Sequence, residues 1–232
     1  MAESPEPPVG LLRDRTDAGH RLGERLEGYR TLRPVVLGIP RGGIVVASEI
    51  ARELSAPLDV LVVRKIGDPF NPEYGLGAVA EGGVRLLDER RILESGRTVP
   101  SLEPVIALEL RELERRLSTY RAHRPRVELR GRTVILVDDG VATGGTVRAG
   151  LKAVRAAGAL KVVLAFGVCA HDTFESLRRE ADDIIAIQVP RRLTAVGEWF
   201  EDFREVSDEE VGRCLRTNPG LDRPDGTPAP AG

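Results

Sequence analysis

Val134-Ile-Leu-Val-Asp-Asp-Gly-Val-Ala-Thr-Gly-Gly-Thr146 decides how the chain is read. Its four aliphatic residues, Val134 to Val137, predict a short buried strand, and two adjacent carboxylates, Asp138 and Asp139, stand where that strand ends. A small-residue loop follows from Gly140 to Gly145, and Thr146 opens a helical pattern that runs to about Ala157. A strand that ends in a Gly/Thr loop at a helix N-terminus makes an anion site. Backbone N–H groups point outward, the helix dipole favours negative charge, and neither Gly144 nor Gly145 has a Cβ to hold an anion off. The two acids add acceptors for sugar hydroxyls or for a hydrated Mg2+. One loop can thus hold a phosphate and, beside it, a diol. A Walker A loop is excluded, because the residue after Gly145 is Thr146 where that motif requires Lys.

Outward from this stretch, the chain alternates apolar runs with helical patterns. Helices are predicted at about Thr16–Tyr29, Ile44–Leu54, Glu103–Tyr120, Phe174–Ala181 and Asp208–Leu215. Strands are predicted at Val35–Ile39, Leu58–Val63, Val84–Leu87, Val162–Val168 and Ile184–Val189, with a long polar loop at Ile66–Gly82. Such alternation implies an α/β fold, a mostly parallel twisted sheet with helices on both faces. Ligands in these folds lie beyond the carboxyl ends of the strands, where the Asp-Asp loop falls. Residues 9–217 are read as a single domain, between a Pro-rich disordered start (1–8) and a Pro/Gly-rich disordered tail (218–232).

A length of 232 residues, with 41% hydrophobic and 30% charged content, suits an ordinary globular domain. The net charge of −2 and the absence of a basic cluster argue against a nucleic-acid surface. Cys169 and Cys214 form no CxxC pair, no apolar run reaches membrane length, and no signal-peptide pattern opens the chain. A cytoplasmic protein with no membrane partner is the expectation. The three histidines, His20, His123 and His171, lack metal-ligand spacing.

The Val134–Thr146 string resembles the phosphoribosyl pyrophosphate (PRPP) signature of the type I phosphoribosyltransferases, a hydrophobic strand, two acids, a spacer and Thr-Gly-x-Thr, without a mismatch. The resemblance runs more loosely from about Val35 to Phe203. It implies that Ala142, Thr143, Gly144, Gly145 and Thr146 cradle the 5′-phosphate. It also implies that Asp138 and Asp139 meet the ribose hydroxyls and Mg2+, directly or through water. Gly38-Ile-Pro-Arg-Gly-Gly43 would then be the pyrophosphate turn, with Arg41, Gly42 and Gly43 as contacts and a cis Pro40–Arg41 peptide. Arg64 and Lys65, ahead of the polar loop, would complete the pyrophosphate clamp, and the loop itself would be a mobile lid. Its Gly75-Leu-Gly-Ala-Val-Ala80 fits a dinucleotide fingerprint, yet no apolar strand immediately precedes it.

Val196-Gly-Glu-Trp-Phe-Glu-Asp-Phe203 contains the only Trp of the chain. Within a small C-terminal hood at 190–205, Trp199 or Phe200 is expected to stack on a planar base, the alternative being that Trp199 and Phe203 simply anchor the segment on the core. Some family members carry an Asp as general base where this chain has Ala142, so an acid–base group must come from elsewhere, with Glu73 and Glu81 as candidates. The charged helix around Glu109 and Arg116 is read as a salt-bridged surface or a homodimer face. Two readings follow. One is a Mg2+-dependent phosphoribosyltransferase acting on an unidentified base. The other is a PRPP-binding regulator or inactive relative.

Overall fold

The structure, a computed structural model, describes residues 10–121 and 125–218. The expected disordered start, His123 and all of the tail after Asn218 lie outside the described residues; Asn218 itself is buried. The central sheet is five-stranded and wholly parallel. It comprises β1 (Val35–Gly38), β2 (Leu58–Val60), β6 (Thr133–Val141), β7 (Lys161–Cys169) and β8 (Asp183–Gln188), in the order β2-β1-β6-β7-β8.

Strict alternation of side chains sends each strand's residues into two cores. Val36, Ile135, Val137, Val163 and Ala165 pack with α1 (Arg15–Arg25) and α2 (Gly42–Leu54), through Leu22, Ile44 and Ile50. Leu37, Val134, Leu136, Leu164 and Phe166 point the other way, onto Val147, Leu151 and Val154 of α5 (Gly145–Ala156). Both faces are covered, which is why these strands read as unbroken aliphatic runs. Each fully buried Leu, Ile or Phe contributes about 1.5–3 kcal/mol relative to leaving it in water.

The expected loop at Ile66–Gly82 is instead a hairpin. Strands β3 (Val63–Asp68) and β4 (Asn71–Ala80) pair antiparallel from Val63↔Ala80 to Asp68↔Asn71, and β5 (Val84–Leu87) adds a third strand. Two register shifts between Ile66 and Asp68 break the period-two pattern, and the glycines of β4 dilute it, so the sequence reads as a loop. Asp68 closes the turn by accepting hydrogen bonds from the backbone N–H groups of Phe70 (2.8 Å) and Asn71 (3.1 Å). Two helices follow, the short α3 (Glu89–Glu94) and the long α4 (Val99–Tyr120), and α6 (His171–Leu177) and α7 (Asp208–Thr217) complete the set. Among the described residues no helix is long and apolar enough to cross a membrane.

Candidate active site

β1 and β6 are neighbours, with Gly38 opposite Val137. From β1 the chain moves to β2 on one side, whereas from β6 it moves to β7 and β8 on the other. That boundary is the switch point of the sheet, where the outgoing connections diverge and leave a crevice at the carboxyl ends. The turn after β1 packs there against the last residues of β6. A Cβ on Gly43 would lie 2.8 Å from the Val137 carbonyl and 2.9 Å from Asp138 Cα, and one on Gly42 would run into the Asp139 carboxylate. These glycines are therefore required for the turn to lie against the end of β6. The Pro40–Arg41 peptide between β1 and α2 is cis, and the Arg41 guanidinium pairs with Glu205.

Asp138 and Asp139 lie within β6 itself, which runs on past the aliphatic residues to Val141. Asp138 keeps a window to solvent, yet desolvation and the neighbouring Asp139 charge raise its carboxyl well above the ordinary 3.8. Its Oδ1 accepts a hydrogen bond from the Asp139 N–H at 2.9 Å. Asp139 has a cation that the sequence did not reveal, Arg15, the first residue of α1. The Arg15 Nε donates to Asp139 Oδ2 at 2.6 Å, its Nη1 donates to the Arg204 carbonyl at 2.8 Å, and the guanidinium carbon lies 3.9 Å from the centre of the Phe203 ring.

The Ala142–Thr146 loop enters α5 through Gly144, whose φ of +75° is one that L side chains rarely adopt. Thr143, Gly145 and Thr146 face a cavity of about 430 Å³ shared with Lys65, Gly75, Gly77, Leu86, Asp88 and Arg91 of the neighbouring sheet and α3. The first turn of a 12-residue helix therefore opens into a cavity that also holds an ammonium and a guanidinium. Arg91 and Asp88 entered no expectation. The Asp-Glu-Arg-Arg signal of a helix start was present in the sequence but too short to register as periodic.

Several expected site residues are placed elsewhere. Arg64 and Lys65 are successive residues of β3 and so point to opposite faces. Lys65 lines the cavity and pairs with Glu73 at 3.2 Å, whereas Arg64 Nε donates to Glu109 Oε2 of α4 at 2.7 Å. The joint clamp expected of them is thus split. Glu81 is buried and fully engaged: it accepts from the Val62 N–H at 2.8 Å and from Arg121 Nη1 at 2.7 Å. That position makes it a structural counter-ion of Arg121, so it is no candidate for the missing acid–base group. Phe200 is also buried, its ring centre 5.0 Å from that of Phe203 and its backbone bridged to Leu12. It anchors the C-terminal segment and cannot stack on a base, whereas Trp199 is half-buried against the core.

The comparisons with known proteins agree with this architecture. The family model of the phosphoribosyl transferase domain matches residues 16–190. Two Mycobacterium tuberculosis proteins (strains CDC 1551 / Oshkosh and ATCC 25618 / H37Rv), provisionally named as phosphoribosyl transferases, are 43% identical over 201 residues. That alignment covers 87% of this chain and 45% of theirs, so the chain spans less than half the length of those curated relatives. A ribose-phosphate pyrophosphokinase of Thermococcus kodakarensis is 30% identical over 132 residues, 55% of this chain and 44% of its own. A crystal structure from Thermus thermophilus superposes with a TM-score of 0.75 at 44% identity, over 88% of this chain and 97% of that one. The chain belongs to the phosphoribosyl transferase domain family.

Proposed function

We propose that the chain transfers a 5-phosphoribosyl group from PRPP to a nitrogenous base and releases pyrophosphate. The observation that carries this reading is the meeting, at one sheet switch point, of a helix-N-terminal loop open to a cavity and a pair of carboxylates. The 5′-phosphate would accept hydrogen bonds from the amides and hydroxyls of Ala142–Thr146. The ribose hydroxyls would donate to Asp138 and Asp139. The pyrophosphate would lie toward the Arg41–Gly43 turn and Lys65, with Arg41 released from Glu205 to reach it. As the C1–O bond to pyrophosphate breaks, positive charge grows on the sugar ring, and the acid pair next to it lowers the energy of that charge. The acceptor nitrogen then forms the new bond to C1 and loses its proton. Of the residues assigned to the base, Trp199 is the one that retains an accessible face.

The acid pair also fits Mg2+, which takes one or two protein carboxylates and fills its remaining positions with water and substrate oxygens. When bound, the ion would neutralise charge on the pyrophosphate leaving group. The free cysteines Cys169 and Cys214 suit a reducing, cytoplasmic setting. Calorimetric titration with PRPP, with and without Mg2+, tests the reading. Micromolar, Mg2+-assisted binding followed by base-dependent pyrophosphate release supports it, and no binding under either condition refutes it.

A further inference from the structure

We infer that Thr173 and Arg148 are positioning residues that aim the backbone amides of the phosphate loop into the cavity. The inference rests on the PRPP reading for its ligand and on local geometry for its mechanism. Thr173 Oγ1, on α6, donates to the Ala142 carbonyl at 2.6 Å. Arg148 Nη1, on α5, donates to the Thr143 carbonyl at 3.1 Å, and the Arg148 backbone N–H donates to the Gly144 carbonyl at 2.9 Å.

In a planar trans peptide the C=O of one residue and the N–H of the next point in opposite directions. The Gly144 bond is the first of helix α5, but holding the Ala142 and Thr143 carbonyls on the α6 side turns the N–H groups of Thr143 and Gly144 to the other side. Neither the Thr143 nor the Gly144 N–H donates to an acceptor among the described residues. The clamp is itself braced. Arg148 Nε donates to Glu180 Oε1 and its Nη2 to Ser176 Oγ, both at 2.8 Å, so the guanidinium cannot turn into the cavity without losing all three partners. Gly144 lies within this bracket: a Cβ there would be 2.9 Å from Thr173 Cγ2 and 3.0 Å from Arg148 Nη1.

A loop prepared in this way meets an anion without first paying to orient its dipoles, which is the advantage of a preorganised site. Thr173 does not line the cavity, and Arg148 lines it with its guanidinium engaged by Glu180, Ser176 and the Thr143 carbonyl, so both are assigned to act through the backbone. The test uses the full chain as wild type, Thr173→Val, Thr173→Ser and Arg148→Met. It combines 15N relaxation of the Thr143 and Gly144 amides in the free protein with calorimetric affinity for Mg2+–PRPP. Thr173→Val should leave both amides mobile and weaken PRPP about tenfold, with Thr173→Ser restoring both. Arg148→Met should act in the same direction.

Wild-type amide order and wild-type affinity in Thr173→Val would overturn the inference. So would increased mobility with unchanged affinity, or a loss of affinity that Thr173→Ser does not restore. If the wild type fails to bind PRPP, the functional reading falls. The amide relaxation then decides the clamp by itself, since it needs no ligand.

Discussion

Arg15 and Asp139 stand 124 positions apart in the chain and share a 2.6 Å ion pair, with side-chain exposures of 10% and 14%. The pair ties the start of α1 to the acid pair of β6. Through the Arg204 carbonyl and the Phe203 ring it also ties the C-terminal segment to the same point. Arg15→Met would leave Asp139 beside Asp138 without its cation. We expect a loss of about 3 kcal/mol in urea unfolding, together with weaker Mg2+–PRPP binding. A variant with wild-type stability and affinity would show that Arg15 is incidental to the site.

The two glycines of the loop should respond differently. A Cβ on Gly145 meets nothing within 4 Å, and the residue lines the cavity, so Gly145→Val should fold normally and abolish PRPP binding. Gly144 has no such room. Its φ of +75° and its closeness to Thr173 and Arg148 make any side chain there costly. Even Gly144→Ala should cost about 1–2 kcal/mol of stability. Melting curves and PRPP titrations on the two variants separate the effects.

Asp138 links stability to pH. Because its folded pKa lies above the ordinary 3.8, the folded chain holds more protons than the unfolded chain between that value and the raised one. Its contribution to stability therefore falls as pH rises through this window and is fully lost above the folded pKa. Asp138→Asn should flatten that slope in urea unfolding and stabilise the free protein at neutral pH, while weakening Mg2+–PRPP. Unchanged affinity in this variant would remove Asp138 from the ribose and metal assignment.

Arg121 neutralises two buried carboxylates, donating to Asp59 Oδ1 at 3.2 Å and to Glu81 Oε2 at 2.7 Å. Arg121→Met should cost about 3–5 kcal/mol, since both acids would be left buried without a cation. Glu81→Gln should lower stability and leave turnover per folded molecule intact. Abolished turnover with unchanged PRPP affinity would instead return Glu81 to the acid–base role.

What the sequence made legible follows from periodicity. Val134–Val137 is aliphatic at every position because α2 covers one face and α5 the other, and such a run can be read without a partner strand. The hairpin could not be read so, because its bulges and glycines erase alternation just where Arg64 and Lys65 needed to be assigned to faces. Arg15, Thr173 and Arg148 show a further limit. Each acts on the loop or the acids from a helix surface, and no local spacing marks a residue whose partner is set by tertiary packing.

Leu12 donates its N–H to the Trp199 carbonyl at 3.0 Å and accepts from Glu201 at 2.8 Å, and Arg13 accepts from Asp202 at 2.8 Å. Residues nearly two hundred positions apart are thereby stitched together like the two ends of a belt, with Arg15 as the buckle pin resting on Asp139. A proteolytic nick or truncation at either end would loosen the opposite end, and the acid pair would register the damage although the cut lay far from it in sequence.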